Sequence, residues 1–321
     1  MPPPVAFDSP RTVIALCGGI GGAKLALGLK HLLGERLIVV VNVADDFEHM
    51  GLRICPDLDT IIYTLSGLSD EVRGWGRAGE TWNFMEAIRQ LGGESWFALG
   101  DRDLALHVER TRRLAAGETL TSIIAGIATT LGIAPQILPV TDDDVRTKVV
   151  TSIGTLDFQR YFVEHRCEPI VRSISFDGAT VARLNPLVSA ALSSTELGAI
   201  ILCPSNPYLS IDPILAVPGL SDAMKRSGAP VVAVSPIIGG RAIKGPTAKI
   251  MSELNIETTS ASIAKHYTGL IDGLLIDSSD AADVEGIAAH VHATPTLMTD
   301  LPSRIVLARE TLAFAARLAA G

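Results

Sequence analysis

Apolar runs that alternate with helical periodicity predict an α/β protein, a doubly wound parallel sheet with a smaller α+β insertion. Three observations carry this reading. Short aliphatic runs at 12–17, 37–42, 199–203, 230–235, 273–277 and 296–298 read as buried parallel strands. Helical patterns over 23–33 and 57–65 follow the first two. The first run leads straight into Gly18-Gly19-Ile20-Gly21-Gly22, the kind of turn that opens a Rossmann-like sheet.

Those glycines are expected to build an anion site. They let backbone N–H groups approach a ligand, and the helix behind them aims its positive end at the same point. A phosphorylated ligand is the expected guest. A Walker loop is excluded, since Lys24 is followed by Leu25 and Ala23 stands where the last glycine belongs. The dinucleotide fingerprint is met only at Gly19 and Gly21, because its third glycine position holds Lys24. Gly18, Gly19, Gly21, Gly22 and Lys24 are assigned to the ligand, with no packing gain expected from the glycines.

The chain has 321 residues, 47% of them hydrophobic, enough for a large core. Between 105 and 186 the style changes. Helices over 104–115 and 120–131 precede alternating segments at 136–140 and 147–153, which flank the turn at Thr141 to Asp144, and then an aromatic-bearing stretch at 158–165. This segment is expected to stand beside the sheet as the insertion, with 1–104 and 187–321 forming the Rossmann-like core. Residues 1–10, with four prolines, read as a loose leader without the charged n-region and apolar h-region of a signal peptide. No apolar run reaches the length of a membrane span. Cys17, Cys55, Cys167 and Cys203 lack C-x-x-C spacing and fit reduced thiols in a cytoplasm. A net charge of −8 argues against a nucleic-acid surface, and a diphosphate would then need cations concentrated locally.

Open sheets bind ligands outside the carboxyl ends of their strands, and the polar motifs fall there. Asp45, Asp46, Asp57 and Asp59 bring carboxylates to one crevice, and oxygen ligands of this kind suit Mg²⁺. Asp45, Asp46 and Asp59 are the expected metal ligands; Asp57 stands where a helix N-cap would be, and Asp45 or Asp46 could instead hold a ribose hydroxyl. A helix end contributes roughly 0.3–2 kcal/mol to anion binding, whereas micromolar affinity needs about 8 kcal/mol. Lys24, Arg53, backbone donors at Ser205–Asn206 and Gly239–Gly240, and the metal are expected to close that gap, with Arg241 and Lys244 close behind the second glycine pair.

Trp75, Trp82 and Trp96 are all the tryptophans of the chain. A flat heteroaromatic ligand stacking at Trp75 or Trp82 and simple core packing are both open from sequence. Residues 96–99 read as a strand ending at Gly100-Asp101-Arg102-Asp103, which would aim Arg102 at the crevice, or pair it with its acidic neighbours. No Ser-His-Asp or Cys-His arrangement is visible in the string.

The order of the motifs is itself informative. Gly18 to Gly22, Asn42-Val-Ala-Asp-Asp46, Cys55-Pro-Asp-Leu-Asp-Thr60, Arg73-Gly-Trp-Gly76, Glu80-Thr-Trp82, Leu99-Gly-Asp-Arg-Asp-Leu104, Pro204-Ser-Asn-Pro207 and Ser235-Pro-Ile-Ile-Gly239 together closely resemble the 2-phospho-L-lactate transferase (LPPG:FO transferase) family. The resemblance runs from Thr12 to Asp300. It implies a Mg²⁺-dependent transfer of a phospho-acyl group (phospholactyl, phosphoenolpyruvyl or phosphoglyceryl) from a guanosine-diphosphate-linked donor to the terminal ribityl hydroxyl of the deazaflavin FO. GMP is released, in a step of coenzyme F420 biosynthesis. Matched by motif, it implies FO contacts at Asp59 and Arg102, with Asp59 as metal ligand or hydroxyl orienter. Asp59→Asn is then expected to abolish transfer while sparing the fold. Two rivals are a nucleotide-sugar-binding regulatory protein of the same superfamily and a dinucleotide oxidoreductase. A homodimer is the base-rate expectation for assembly.

Overall fold

In the computed structural model, residues 11–243, 245–282 and 284–320 are described. Residues 1–10 and Lys244 lie outside them. Seven strands form the main sheet: β1 (Thr12–Cys17), β2 (Leu37–Val41), β3 (Gln136–Pro139), β4 (Leu197–Leu202), β5 (Val231–Val234), β6 (Gly273–Asp277) and β7 (His290–Thr294). Every pairing is parallel, in the order β3-β2-β1-β4-β5-β6-β7. The first six follow the dinucleotide-fold order, so the direction of winding reverses between β1 and β4 and opens a crevice there.

The inner strands are aliphatic along their whole length because both faces are covered. Val13 to Cys17 and Ala199 to Leu202 are at most 1% exposed. On one face, helix α1 (Gly19–Leu33) packs between α2 (Pro56–Ser66) and the long helix Leu301–Ala320. That last crossing is close: a Cβ on Gly28 would stand 2.2 Å from the carbonyl oxygen of Arg304.

The structure corrects three elements. Residues 136–140 do not form a hairpin beside the sheet; Gln136–Pro139 is the edge strand of the main sheet, paired to β2 from Ile38–Gln136 to Val41–Pro139. Residues 296–298 are not a strand; the seventh strand is His290–Thr294, whose exposed His290 hid its pairing to β6 from an apolar-run criterion. Residues 96–99 are irregular, because Trp96 and Phe97 join Phe47 and His49 in an aromatic cluster instead of a ladder. The segment 105–186 also supplies a three-stranded antiparallel sheet, with Arg146–Thr151 between Gly154–Asp157 and Val171–Asp177.

Two further helices, α3 (Asn83–Gln90) and α4 (Asp101–Ala115), start side by side and cap each other. Glu80 accepts the backbone N–H groups of Arg102 and Asp103 at 2.7 and 2.9 Å. Asp101 accepts those of Asn83 and Phe84 at 3.1 and 3.0 Å. Each acid satisfies donors that a helix start leaves open. The Glu80-Thr-Trp and Gly100-Asp-Arg-Asp motifs are thus two halves of one lock.

Candidate active site

A cleft of about 730 Å³ lies over the carboxyl ends of β1, β4 and β5. One side is formed by Gly18, Gly19, Gly21, Lys24, Ser205 and Asn206, with Asp45 and Asp57 beside them. The cleft lining also carries the aromatic rings of Trp75, Trp96, Phe97, Phe158 and Phe162. Asp59, Tyr63, Asp103 and His107 line it as well.

Gly18, Gly21 and Gly22 are explained by packing, contrary to expectation, whereas Gly19 answers to its φ of +61°. Gly19, Gly21 and Gly22 already lie in the first turn of α1, and only Gly18 stands before it. A Cβ on Gly21 would meet the Pro204 carbonyl at 2.2 Å, and one on Gly22 the Ser205 hydroxyl at 2.5 Å. The helix start is pressed against the β4 loop. Ser205 locks it: its hydroxyl donates to the Gly18 carbonyl at 2.7 Å and accepts from the Gly18 N–H at 3.2 Å. Gly22 itself does not line the cleft.

Asp57 caps a helix, but not its own. Cys55 is the N-cap of α2, whereas the Asp57 carboxylate accepts the Gly19 N–H of α1 at 2.6 Å and the Asn42 amide at 2.9 Å. Burial pushes Asp57 up to about 6, against those two hydrogen bonds. Lys24 reaches across to donate to the Met298 carbonyl at 2.9 Å. Asn206 caps the turn Pro207–Ile211 through Oδ1 and donates to Thr247 at 2.9 Å.

Asp59 is held by Arg110, a fully buried arginine of α4. The guanidinium donates to both carboxylate oxygens, at 3.2 Å to Oδ2 and closer to Oδ1, and also to the Arg53 carbonyl. This pairing already engages both oxygens that Asp59 would offer a metal. It also bears on Asp59→Asn, a change that would strand a buried cation. Burial still raises the Asp59 carboxyl, with Arg110 opposing it. Next to it, His107 is 1% exposed, with Nε2 3.1 Å from Asp103 Oδ2 and Nδ1 3.6 Å from Asp59 Oδ2. The Tyr63 hydroxyl donates to Asp103. Burial and the neighbouring Asp59 and Asp103 hold the Tyr63 phenol in its protonated form.

Several sequence assignments fall elsewhere. Asp46 is buried outside the cleft lining, 3.5 Å from Arg53, and burial pushes it up to about 6. Gly239 and Gly240 donate their N–H groups to Asp280, both at 2.9 Å, so neither is open to a phosphate. Trp82 packs near Ile54, Met85 and Leu99 under the Arg73 guanidinium, 4.6 Å from its ring, and Arg102 is exposed beside Gly79. Neither side chain lines the cleft.

Among the described residues no three His, Cys, Asp or Glu side chains converge as a metal cage. Asp45 nevertheless fits a cation. It lines the cleft, its Oδ1 is buried without a hydrogen-bond partner, and burial together with the Asp57 charge raises its carboxyl well above the ordinary range. One carboxylate and substrate phosphates form a usual Mg²⁺ shell.

A family model described as 2-phospho-L-lactate transferase CofD matches residues 13–298. The chain belongs to the CofD family. Among relatives of this CofD-family transferase, a phosphoenolpyruvate transferase of Streptomyces griseus is 39% identical over 313 residues, 94% of this chain and 98% of its own. A phosphoenolpyruvate transferase of Mycobacterium avium is 38% identical over 320 residues, covering 90% and 94%. The crystal structure of a UPF0052-family protein from Bacillus halodurans shares the fold at a TM-score of 0.63 over 94% of this chain and 98% of that one, at 14% identity. CofD-type transferases act on FO in coenzyme F420 biosynthesis, and that is the activity of this chain. No helix among the described residues is long and apolar enough to cross a membrane.

The CofD-family chain also carries site residues that sequence reasoning passed over. Phe158 and Phe162 stack at 5.4 Å, Phe162 on the short π-helical stretch Arg160–Glu164 and Phe158 just before it, and both line the cleft. Asp103 and His107 are four positions apart on α4, a spacing that a search for one-faced Asp–His pairs would have found.

Proposed function

We propose that this transferase moves a phosphoenolpyruvyl group from a guanosine-diphosphate-linked donor to the terminal ribityl hydroxyl of FO, releasing GMP. The observation that carries the reading is one cleft lined both by the start of α1 and by a set of aromatic rings. The positive end of α1 and Lys24 suit a diphosphate, with the Gly18 and Gly19 N–H groups themselves held by Ser205 and Asp57, and the aromatic rings of the lining suit a flat deazaflavin. The name shared by relatives 38–39% identical over nearly the whole chain supports the enolpyruvyl donor.

Gly21, Lys24, Ser205 and Asn206 would receive the donor beside Gly18 and Gly19, with Asp45 holding Mg²⁺. The ion supplies charge neutralisation at the diphosphate. Asp59 would orient the ribityl hydroxyl, its own geometry set by Arg110. Phosphoryl transfer asks mainly for such positioning and charge balance.

The test is incubation with FO, Mg²⁺ and each of the lactyl, enolpyruvyl and glyceryl donors, followed by mass analysis for GMP and product. Fastest turnover with the enolpyruvyl donor is expected. Preference for another donor would replace the acyl assignment, and no product from any would remove the reading. We further propose a homodimer, the commonest closed assembly; a monomeric mass by light scattering would overturn it.

A further inference from the structure

The attacking hydroxyl of FO must lose a proton, and the cleft offers one group built to take it. Tyr63 is held protonated, and the Asp59 carboxylate is engaged on both oxygens by Arg110. His107 is the one histidine among the described residues that line the cleft. Its ring is buried, and neither nitrogen meets hydrogen-bond geometry with a protein partner. Such a ring is costly to bury unless something completes it.

Its surroundings define the direction of proton flow. Asp103, one turn earlier on α4, stands 3.1 Å from Nε2 and is itself fixed by Tyr63. An acid at that place would draw the ring proton to Nε2 once a bound substrate aligns the ring, leaving Nδ1 as the acceptor, as in other bases oriented by a third group. Nδ1 stands 3.6 Å from Asp59 Oδ2, and in that tautomer both are acceptors. A substrate hydroxyl placed against both would supply the proton. The titratable and charged groups around the ring are Asp59 and Tyr63 from α2, and Asp103 and Arg110 from α4.

We propose that His107 is the proton acceptor of the transfer, with Asp103 as its positioning residue. The inference rests on the reading of the cleft given above. The ribityl O–H bond breaks and its proton goes to Nδ1, while the oxygen's electron pair forms the new O–P bond. The P–O bond to the guanylyl group breaks, and its electron pair leaves on GMP. A phosphomonoester with a second pKa of about 6 departs without needing a proton, so one base suffices. The imidazolium formed lies between two carboxylates.

The test measures kcat and the KM for FO from acid to neutral pH in the wild type, His107→Gln and Asp103→Asn, with melting curves for each. General-base loss predicts a fall in kcat of about 100-fold or more in His107→Gln, and loss of the acid limb of its pH profile. The KM for FO should stay within about threefold, as expected when a transition-state interaction is removed. Asp103→Asn keeps the ring but favours the proton on Nδ1, so kcat should fall by about tenfold or more with FO binding retained. If His107→Gln does not fold, Asp103→Asn decides. Unchanged kcat and pH profile in the folded variants would overturn the proposal while leaving the function intact. A wild type without product would instead overturn the function itself.

Discussion

Arg110 and Asp59 are 51 positions apart in the chain and meet as a two-pronged ion pair, the guanidinium wholly buried and the carboxylate nearly so. The pair ties α4 to α2 beneath the cleft, and through the Arg53 carbonyl it also reaches the short strand Leu52–Ile54. It fixes the direction in which Asp59 faces a substrate. Removing either partner leaves the other charge buried and unpaired.

Arg110→Met is therefore expected to cost about 3–5 kcal/mol of stability, measured by denaturant unfolding. Asp59→Asn should lower stability as well as abolish transfer. A double variant should be less destabilised than the sum of the singles, because the stranded charge is gone. Additive losses would show that the two side chains are not coupled.

The glycines of the α1 start should differ in kind. Gly21→Ala forces a Cβ onto the Pro204 carbonyl and should cost about 1–3 kcal/mol, with loss of donor binding. Gly19 has φ +61° and a Cβ there would meet Asp57 and Ser210 only at an ordinary 4.0 Å, so Gly19→Ala should cost about 1 kcal/mol through backbone strain alone. Melting and calorimetric binding of GDP read the two effects separately.

Asp101 and Asp143 set a pH window. Hydrogen bonds from Thr81 and the Phe84 N–H hold Asp101 at about 2, and Arg183 does the same for Asp143. Their folded pKa values lie below the unfolded value of about 3.9. Their contribution is thus complete above that value and lost as the pH falls toward 2. Melting temperature against pH should fall more steeply in the wild type than in Asp101→Asn between pH 4 and 2, about the window the two values define. Parallel curves would exclude Asp101 as a source of acid sensitivity.

Asp45→Asn should raise the Mg²⁺ concentration for half-maximal transfer by about tenfold or more, without loss of fold. Titration of the metal at saturating donor and FO measures it. An unchanged requirement would remove Asp45 from the metal.

Trp75 and Phe162 are 51% and 40% exposed at the cleft, unusual for rings of this size. If they stack on FO, alanine at either should raise its KM by about 2- to 12-fold, the equivalent of 0.5–1.5 kcal/mol. An unchanged KM would assign FO to another wall.

The sequence by itself determined what local patterning encodes. Aliphatic runs marked five of the seven sheet strands because both faces of a parallel strand are covered. The glycine turn marked β1 and α1, and the ordered motifs carried the family. Tertiary structure decided which polar groups remain open to a ligand. Gly239 looks like a phosphate donor until Asp280, 41 positions away, takes its N–H. Asp59 looks like a metal ligand until Arg110 takes its oxygens, and Asp45, alike in sequence, keeps one free. Periodicity reports burial along one element, whereas hydrogen-bond partners come from elements far apart in the chain. The glycine turn needs Gly21 for the same reason: the Pro204 carbonyl that excludes a side chain there is 183 residues further on.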